Sequence, residues 1–110
     1  MISNLIELEK SEVIQILRQA KVPANWLGYK SIVTAIPMVI DDFIGAEPNT
    51  LQHIYKEVAK KHKTTAQKVD CAIRYVHENT AISKVLGYEK ISNKLLLYSI
   101  AESIVWKLKL

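Results

Sequence analysis

The stretch from Thr50 to Thr80, TLQHIYKEVAKKHKTTAQKVDCAIRYVHENT, carries two helical periods separated by a gap with room only for a tight turn. Leu51, Ile54, Tyr55, Val58 and Ala59 recur at i, i+3, i+4, i+7 and i+8, so a helix places them on one stripe. Val69, Ala72, Ile73 and Val76 repeat that spacing, with Ala66 one step earlier. Between the two sets His62, Lys63 and Thr64 supply no apolar side chain. Thr64 followed by Gln67 fits a capping box, which predicts a second helix starting at about Thr65. The whole stretch therefore reads as a helix-turn-helix over about 51–78.

With Val69, Ala72, Ile73 and Val76 turned inward, Gln67, Lys68, Cys71, Arg74, Tyr75 and Glu78 face out. A continuous stripe of this kind on a second helix is the part that enters a DNA major groove. The charge agrees, because Lys56, Lys60, Lys61, Lys63, Lys68 and Arg74 are opposed only by Glu57, Asp70 and Glu78, and the excess makes up most of the chain's net charge of +4. Clustering of this kind favours a polyanionic partner. Crossed helices with a solvated lysine face also occur in bundles that never meet DNA, so a protein-interaction module stays open beside the DNA-binding reading.

The remaining sequence supplies the frame. Met1 to Glu9 reads as a short lead, and residues 1–10 as an N-terminal extension to one helical domain over 11–110. Ser11 is the expected N-cap of a helix carrying Val13, Ile16, Leu17 and Ala20, stopped by Pro23. VPANWLGY (22–29) is a connector in which Gly28 is expected to take a backbone angle other residues avoid. A long apolar helix follows, with Ile32, Val33, Ile36, Val39, Ile40 and Phe43 inside, bent rather than ended by Pro37. Gly45 and Pro48 open a loop. After the helix-turn-helix, ISKVLGY (82–88) predicts one helical turn closed by Gly87. Ser92 or Asn93 starts a last helix with Leu96, Ile100, Ala101, Ile104, Val105 and Leu108 on one stripe. No strand-like alternation of useful length occurs, so the expected class is all-α, a bundle of five to six helices containing a helix-turn-helix.

The chain has 110 residues, 49% of them apolar, enough for a single core. It holds no apolar run of about eighteen residues, and acidic side chains at Glu7, Glu9 and Glu12 interrupt its start, so a cytoplasmic protein is expected. Cys71 is its one cysteine and cannot form an internal disulfide. His53, His62 and His77 are not spaced as a metal site. With no Gly-rich phosphate loop, nucleophile elbow or paired-carboxylate signature, neither an enzyme nor a cofactor is expected.

ILRQAKVPANWLGY, the helix ending in MVIDDFIG, then IYKEVAKKHKTTAQKVDCAIRYVHE, then LGY and a last helix ending in KLKL together resemble the C-terminal DNA-binding effector domain of the response regulator that initiates sporulation in bacteria. The likeness runs from about Ser11 to Leu110 and is densest in EVAKKHKTTAQKVDCAIR. It implies a six-helix domain of the winged-helix-like C-terminal effector superfamily. Such a domain binds a short double-stranded DNA box, pairs with a second copy there, and regulates transcription partly through the RNA polymerase sigma subunit. It further implies a recognition helix from about Thr65 to Glu78 with contact positions at Lys68, Asp70, Cys71, Arg74 and Tyr75. Lys68 stands where the family has arginine and Asp70 where it has glutamate; Arg74 is unchanged, Cys71 replaces an arginine that reads a base edge, and Tyr75 replaces a histidine. A thiol has no bidentate fork for guanine, so the family's own box is not expected to be this chain's site. The segments after Glu78 and around Tyr88 to Lys94 are shorter than the family's. Asp41 and Asp42 end a helix rather than a buried strand, so neither a receiver domain nor its phosphorylation control is expected in this chain.

The expected DNA-facing set is thus Lys60, Lys61, Lys63 and Thr65 near the backbone, with Gln67, Lys68, Asp70, Cys71, Arg74 and Tyr75 on the recognition helix. For Arg74 the competing reading is a surface ion pair with Asp70 or Glu78.

Overall fold

The computed structural model describes residues 2–44 and 50–109, with side-chain surroundings for 5–42 and 50–109. All regular structure among them is helical, in the order α1 (Ile2–Gln19), α2 (Leu27–Ile44), α3 (Leu51–Lys61), α4 (Ala66–Asn79), α5 (Ile82–Val85) and α6 (Asn93–Leu108). The most apolar long segment, α2, is the centre, and α1, α3, α4 and α6 all pack against it. Its inner residues Ile32, Ala35, Ile36, Val39 and Ile40 are fully buried. Pro37 lies inside the helix, which continues beyond it to Ile44 as the unbroken periodicity predicts. The Phe43 side chain and the loop expected at Gly45 and Pro48 lie outside the described residues.

Around α2 the core takes Val13, Leu17 and Ala20 from α1, Ile54, Tyr55, Val58 and Ala59 from α3, and Val69, Ile73 and Val76 from α4. Ile82 of α5 and Leu96, Leu97, Ile100, Ala101 and Ile104 of α6 complete it. Each of these sets repeats at helical spacing, which is why burial of one stripe per helix suffices to assemble the bundle.

Several expectations about the first half of the chain are corrected, among them the N-terminal extension, whose residues 2–10 are part of α1. Ser11 caps nothing: it is exposed within α1, which begins at Ile2. The buried stripe runs back from Val13 to Glu9, whose side chain is only 4% exposed, so a carboxylate occupying an apolar register made the period look broken. Gly28 has no unusual backbone angle, since Gly87 alone of the described glycines has positive φ. It sits in the first turn of α2 because a Cβ there would lie 2.4 Å from Val76 Cγ2 and 2.5 Å from the Ala72 carbonyl oxygen. Its role is close helix approach rather than turn geometry.

The ends of α1 and α5 share one device. After α1, Lys21 adopts φ 60°, its N–H bonds the Arg18 carbonyl at 3.0 Å and the Val22 N–H bonds the Leu17 carbonyl at 3.0 Å. This is a Schellman ending with its apolar contact between Val22 and Leu17, and Pro23 follows it rather than causing it. Gly87 closes α5 in the same way at φ 88°.

Candidate nucleic-acid interface

The turn between α3 and α4 is built from two local signals. Lys63 takes φ 55°, and the Thr64 N–H returns to the Ala59 carbonyl at 2.9 Å, so α3 ends in a Schellman turn with a lysine where glycine is usual. Thr64 is thereby committed to the end of α3. The N-cap of α4 is instead Thr65, whose hydroxyl accepts from the Lys68 N–H at 3.2 Å. The capping box of Thr64 with Gln67 is corrected by one residue, and position N3 falls on Lys68, which has no acceptor to reach back with. Thr50 caps α3 in the same manner, accepting from the His53 N–H at 3.1 Å.

Helix α4 presents the outer face its periodicity predicts. Gln67, Lys68, Cys71, Arg74, Tyr75 and Glu78 are exposed, whereas Val69, Ile73 and Val76 are buried. Lys60, Lys61, Lys63 and Thr65 are also exposed, beside the start of α4. The free N–H groups and positive dipole end of α4 therefore lie in the same neighbourhood as three lysines, a combination suited to phosphate oxygens. Lys60 reaches Glu57 at 3.4 Å within its own helix, a solvent-exposed pair of little energetic weight.

Asp70 differs from its neighbours. It is half-buried, and both carboxylate oxygens are occupied: Oδ2 accepts from the Arg74 guanidinium at 2.8 Å, and Oδ1 accepts from the Asn93 amide at 2.8 Å. The ion pair weighed for Arg74 thus forms with Asp70 and leaves its remaining N–H groups available. Tyr75, 53% exposed, packs edge-on against Trp26 with ring centroids 5.0 Å apart. Trp26, Leu27, Gly28, Ala72 and Tyr75 line a shallow apolar notch of about 260 Å³ there. Cys71 carries a free, exposed thiol.

A polar cluster behind this face was not foreseen. Asn93, the first residue of α6, is 9% exposed, and its amide N–H groups reach Tyr55 Oη at 3.1 Å and the Asp70 carbonyl oxygen at 3.0 Å as well as Oδ1. Its own oxygen lies 2.8 Å from His77 Nε2. Burial raises the Tyr55 phenol above its ordinary pKa; the Asn93 hydrogen bond acts against this and the Asp70 charge adds to it. The sequence did hold a signal, because 93, 96, 97, 100 and 104 share the buried register of α6 and an asparagine there must find partners. His62 sits at the end of α3, half-buried, and its Nε2 lies 2.7 Å from Thr34 Oγ1.

Among the described residues no group of three or more His, Cys, Asp or Glu could hold a metal ion, and no helix is long and apolar enough to cross a membrane.

The family model described as "Sporulation initiation factor Spo0A C terminal" matches residues 13–103. The chain belongs to the Spo0A C-terminal family. This is a family of DNA-binding effector domains and not of enzymes, and its helical character agrees with α1 to α6. The matched span includes α2 to α5 entire, α1 from Val13 onward and most of α6, so the helix-turn-helix and the Asn93 cluster both lie within it. No solved structure matches the chain.

Proposed function

We propose that this chain is a sequence-specific DNA-binding transcriptional regulator that seats α4 in the major groove. Gln67, Lys68, Cys71 and Arg74 face base edges, Tyr75 flanks them, and Lys60, Lys61, Lys63 and Thr65 follow the backbone. The observation that carries the proposal is the outer stripe of α4, left uncovered by the rest of the chain and adjoining a lysine-rich turn. Membership in a DNA-binding family supports it. Asp70 serves from behind, holding Arg74 rather than touching bases. As in the resemblance drawn from sequence, a second copy on the same duplex and contact with the polymerase sigma subunit belong to the proposal.

Selection from random duplexes followed by mobility shift tests it. An enriched box is expected, and Arg74→Ala is expected to weaken that box by about 1–3 kcal/mol and relax preference at one position. Only weak, sequence-independent binding that vanishes at physiological salt overturns the proposal.

One observation favours a second reading, a protein-interaction module. Trp106 is 77% exposed and, with Val85, Tyr88 and Ser99, borders a cavity of about 440 Å³ between α5 and α6. If partner binding through that surface were the whole function, Trp106→Ala would abolish it and Arg74→Ala would leave it untouched.

A further inference from the structure

We propose that Asn93 is a positioning residue for DNA recognition, acting on Arg74 through Asp70 from the buried side of α4. The inference rests on the reading of Arg74 as a base contact. Its physical basis is a relay with one fixed end. Asn93 is anchored at the start of α6, where Ser92 caps the helix by accepting the Leu95 N–H at 3.1 Å. Its amide grips Asp70 at both the backbone oxygen, 3.0 Å, and the carboxylate Oδ1, 2.8 Å, while its oxygen meets His77 two helical turns further along α4. Tyr55 Oη holds the same amide from α3 at 3.1 Å. One side chain therefore connects α3, two points two turns apart on α4, and α6.

The consequence falls on the outward side. An aspartate held by Oδ1 and its own carbonyl has little freedom to rotate, so Oδ2 becomes a stationary acceptor. Arg74 bonds that acceptor at 2.8 Å, with its side chain half exposed. An exposed i,i+4 pair adds little to stability, yet it restricts a long side chain that otherwise samples many rotamers. Ordering such a side chain before binding removes a cost that would be met at the interface. The guanidinium still has N–H groups to spare for a guanine edge. Specificity at Arg74 thus depends on an asparagine that touches no DNA.

A double-mutant cycle on the full chain tests this, using the duplex recovered by selection and a scrambled duplex of equal length. Asn93→Ala is expected to weaken the selected box by about two- to tenfold, the cost of ordering one long side chain at the interface, and to leave the scrambled duplex within about twofold. In the Arg74→Ala background the same change is expected to add nothing, because the side chain being positioned is gone. A purely structural role would instead weaken both duplexes and would persist in that background, overturning the proposal. An unchanged affinity for the box in Asn93→Ala, with Arg74→Ala impaired, overturns it as well.

If Arg74→Ala itself binds the box like the parent, the DNA reading of Arg74 fails. The relay is then judged in the free protein by relaxation of the Arg74 Nε–H bond, expected to become more mobile in Asn93→Ala; unchanged mobility sinks it. Should Asn93→Ala not fold, Asp70→Asn takes its place, keeping an oxygen for the Asn93 amide while removing the charge that holds Arg74. It is expected to produce the same loss at the box, and full affinity would overturn the relay.

Discussion

Cys71 is the residue at which the proposed recognition face departs furthest from the pattern implied by the sequence resemblance. It is exposed, centrally placed on α4 between Lys68 and Arg74, and its thiol offers bases no more than an apolar touch. Cys71→Arg is expected to move the selected DNA sequence toward one containing an additional guanine and to tighten binding by about 1–3 kcal/mol, the value of one bidentate pair. Repeating the selection with the variant checks this, and an unchanged preference counts against the docking of α4. Lys63 yields a second residue-scale prediction, since it holds a left-handed angle, φ 55°, at the end of α3. Lys63→Gly relieves that strain but enlarges the freedom of the unfolded chain, for a net gain of about 0.5–1 kcal/mol. A higher denaturant midpoint measures it. The same variant removes a phosphate contact of the proposed docking, so the slope of log affinity against log salt is expected to fall by about 1.

At the scale of elements, the orientation of α4 depends on how closely it crosses α2. Gly28 permits that crossing, because a side chain there would run into Val76 and the backbone of Ala72. Gly28→Ala is accordingly expected to destabilise the protein by about 1–3 kcal/mol, as overpacking does, and, if α4 docks as proposed, to impair DNA binding beyond the loss of folded protein by tilting that helix. Thermal unfolding and affinity measured on the same variant separate the two. The start of α4 is set by Thr65, so Thr65→Ala should cost about 1 kcal/mol whereas Thr64→Ala should cost less. Sequence periodicity located this helix and its outer face but misplaced its cap by one residue. A threonine pair looks alike on paper, and the choice between them is made by the Schellman turn of α3, which draws the Thr64 N–H back to Ala59.

For the molecule as a whole, one local conflict with the apolar core is the Glu9 carboxyl, buried on the α1 side. Burial first, and the Asp41 charge second, raise its pKa above the ordinary value. The folded protein then retains a proton that the unfolded chain releases at lower pH. Stability is therefore greatest below the unfolded pKa of 4.5 and falls as pH rises through the raised folded value, after which it levels off. Glu9→Gln is expected to abolish that decline and to be more stable at neutral pH, which thermal melts across the acidic to neutral range will register.

Local and periodic properties were decided by the sequence alone. Stripes at helical spacing marked which residues enter the core, the turn before Thr65 and Gly87 marked ends, and lysines gathered around one turn marked the face proposed for a polyanion. These follow from short-range geometry, where each residue's neighbours are known in advance. What required the tertiary structure was every interaction between helices: Gly28 against Val76, Trp26 against Tyr75, and above all Asn93 reaching Tyr55, Asp70 and His77. A polar side chain in a buried register announces only that it needs partners. Which helix supplies them is settled by packing, because partners far apart in sequence become neighbours only once the core has closed.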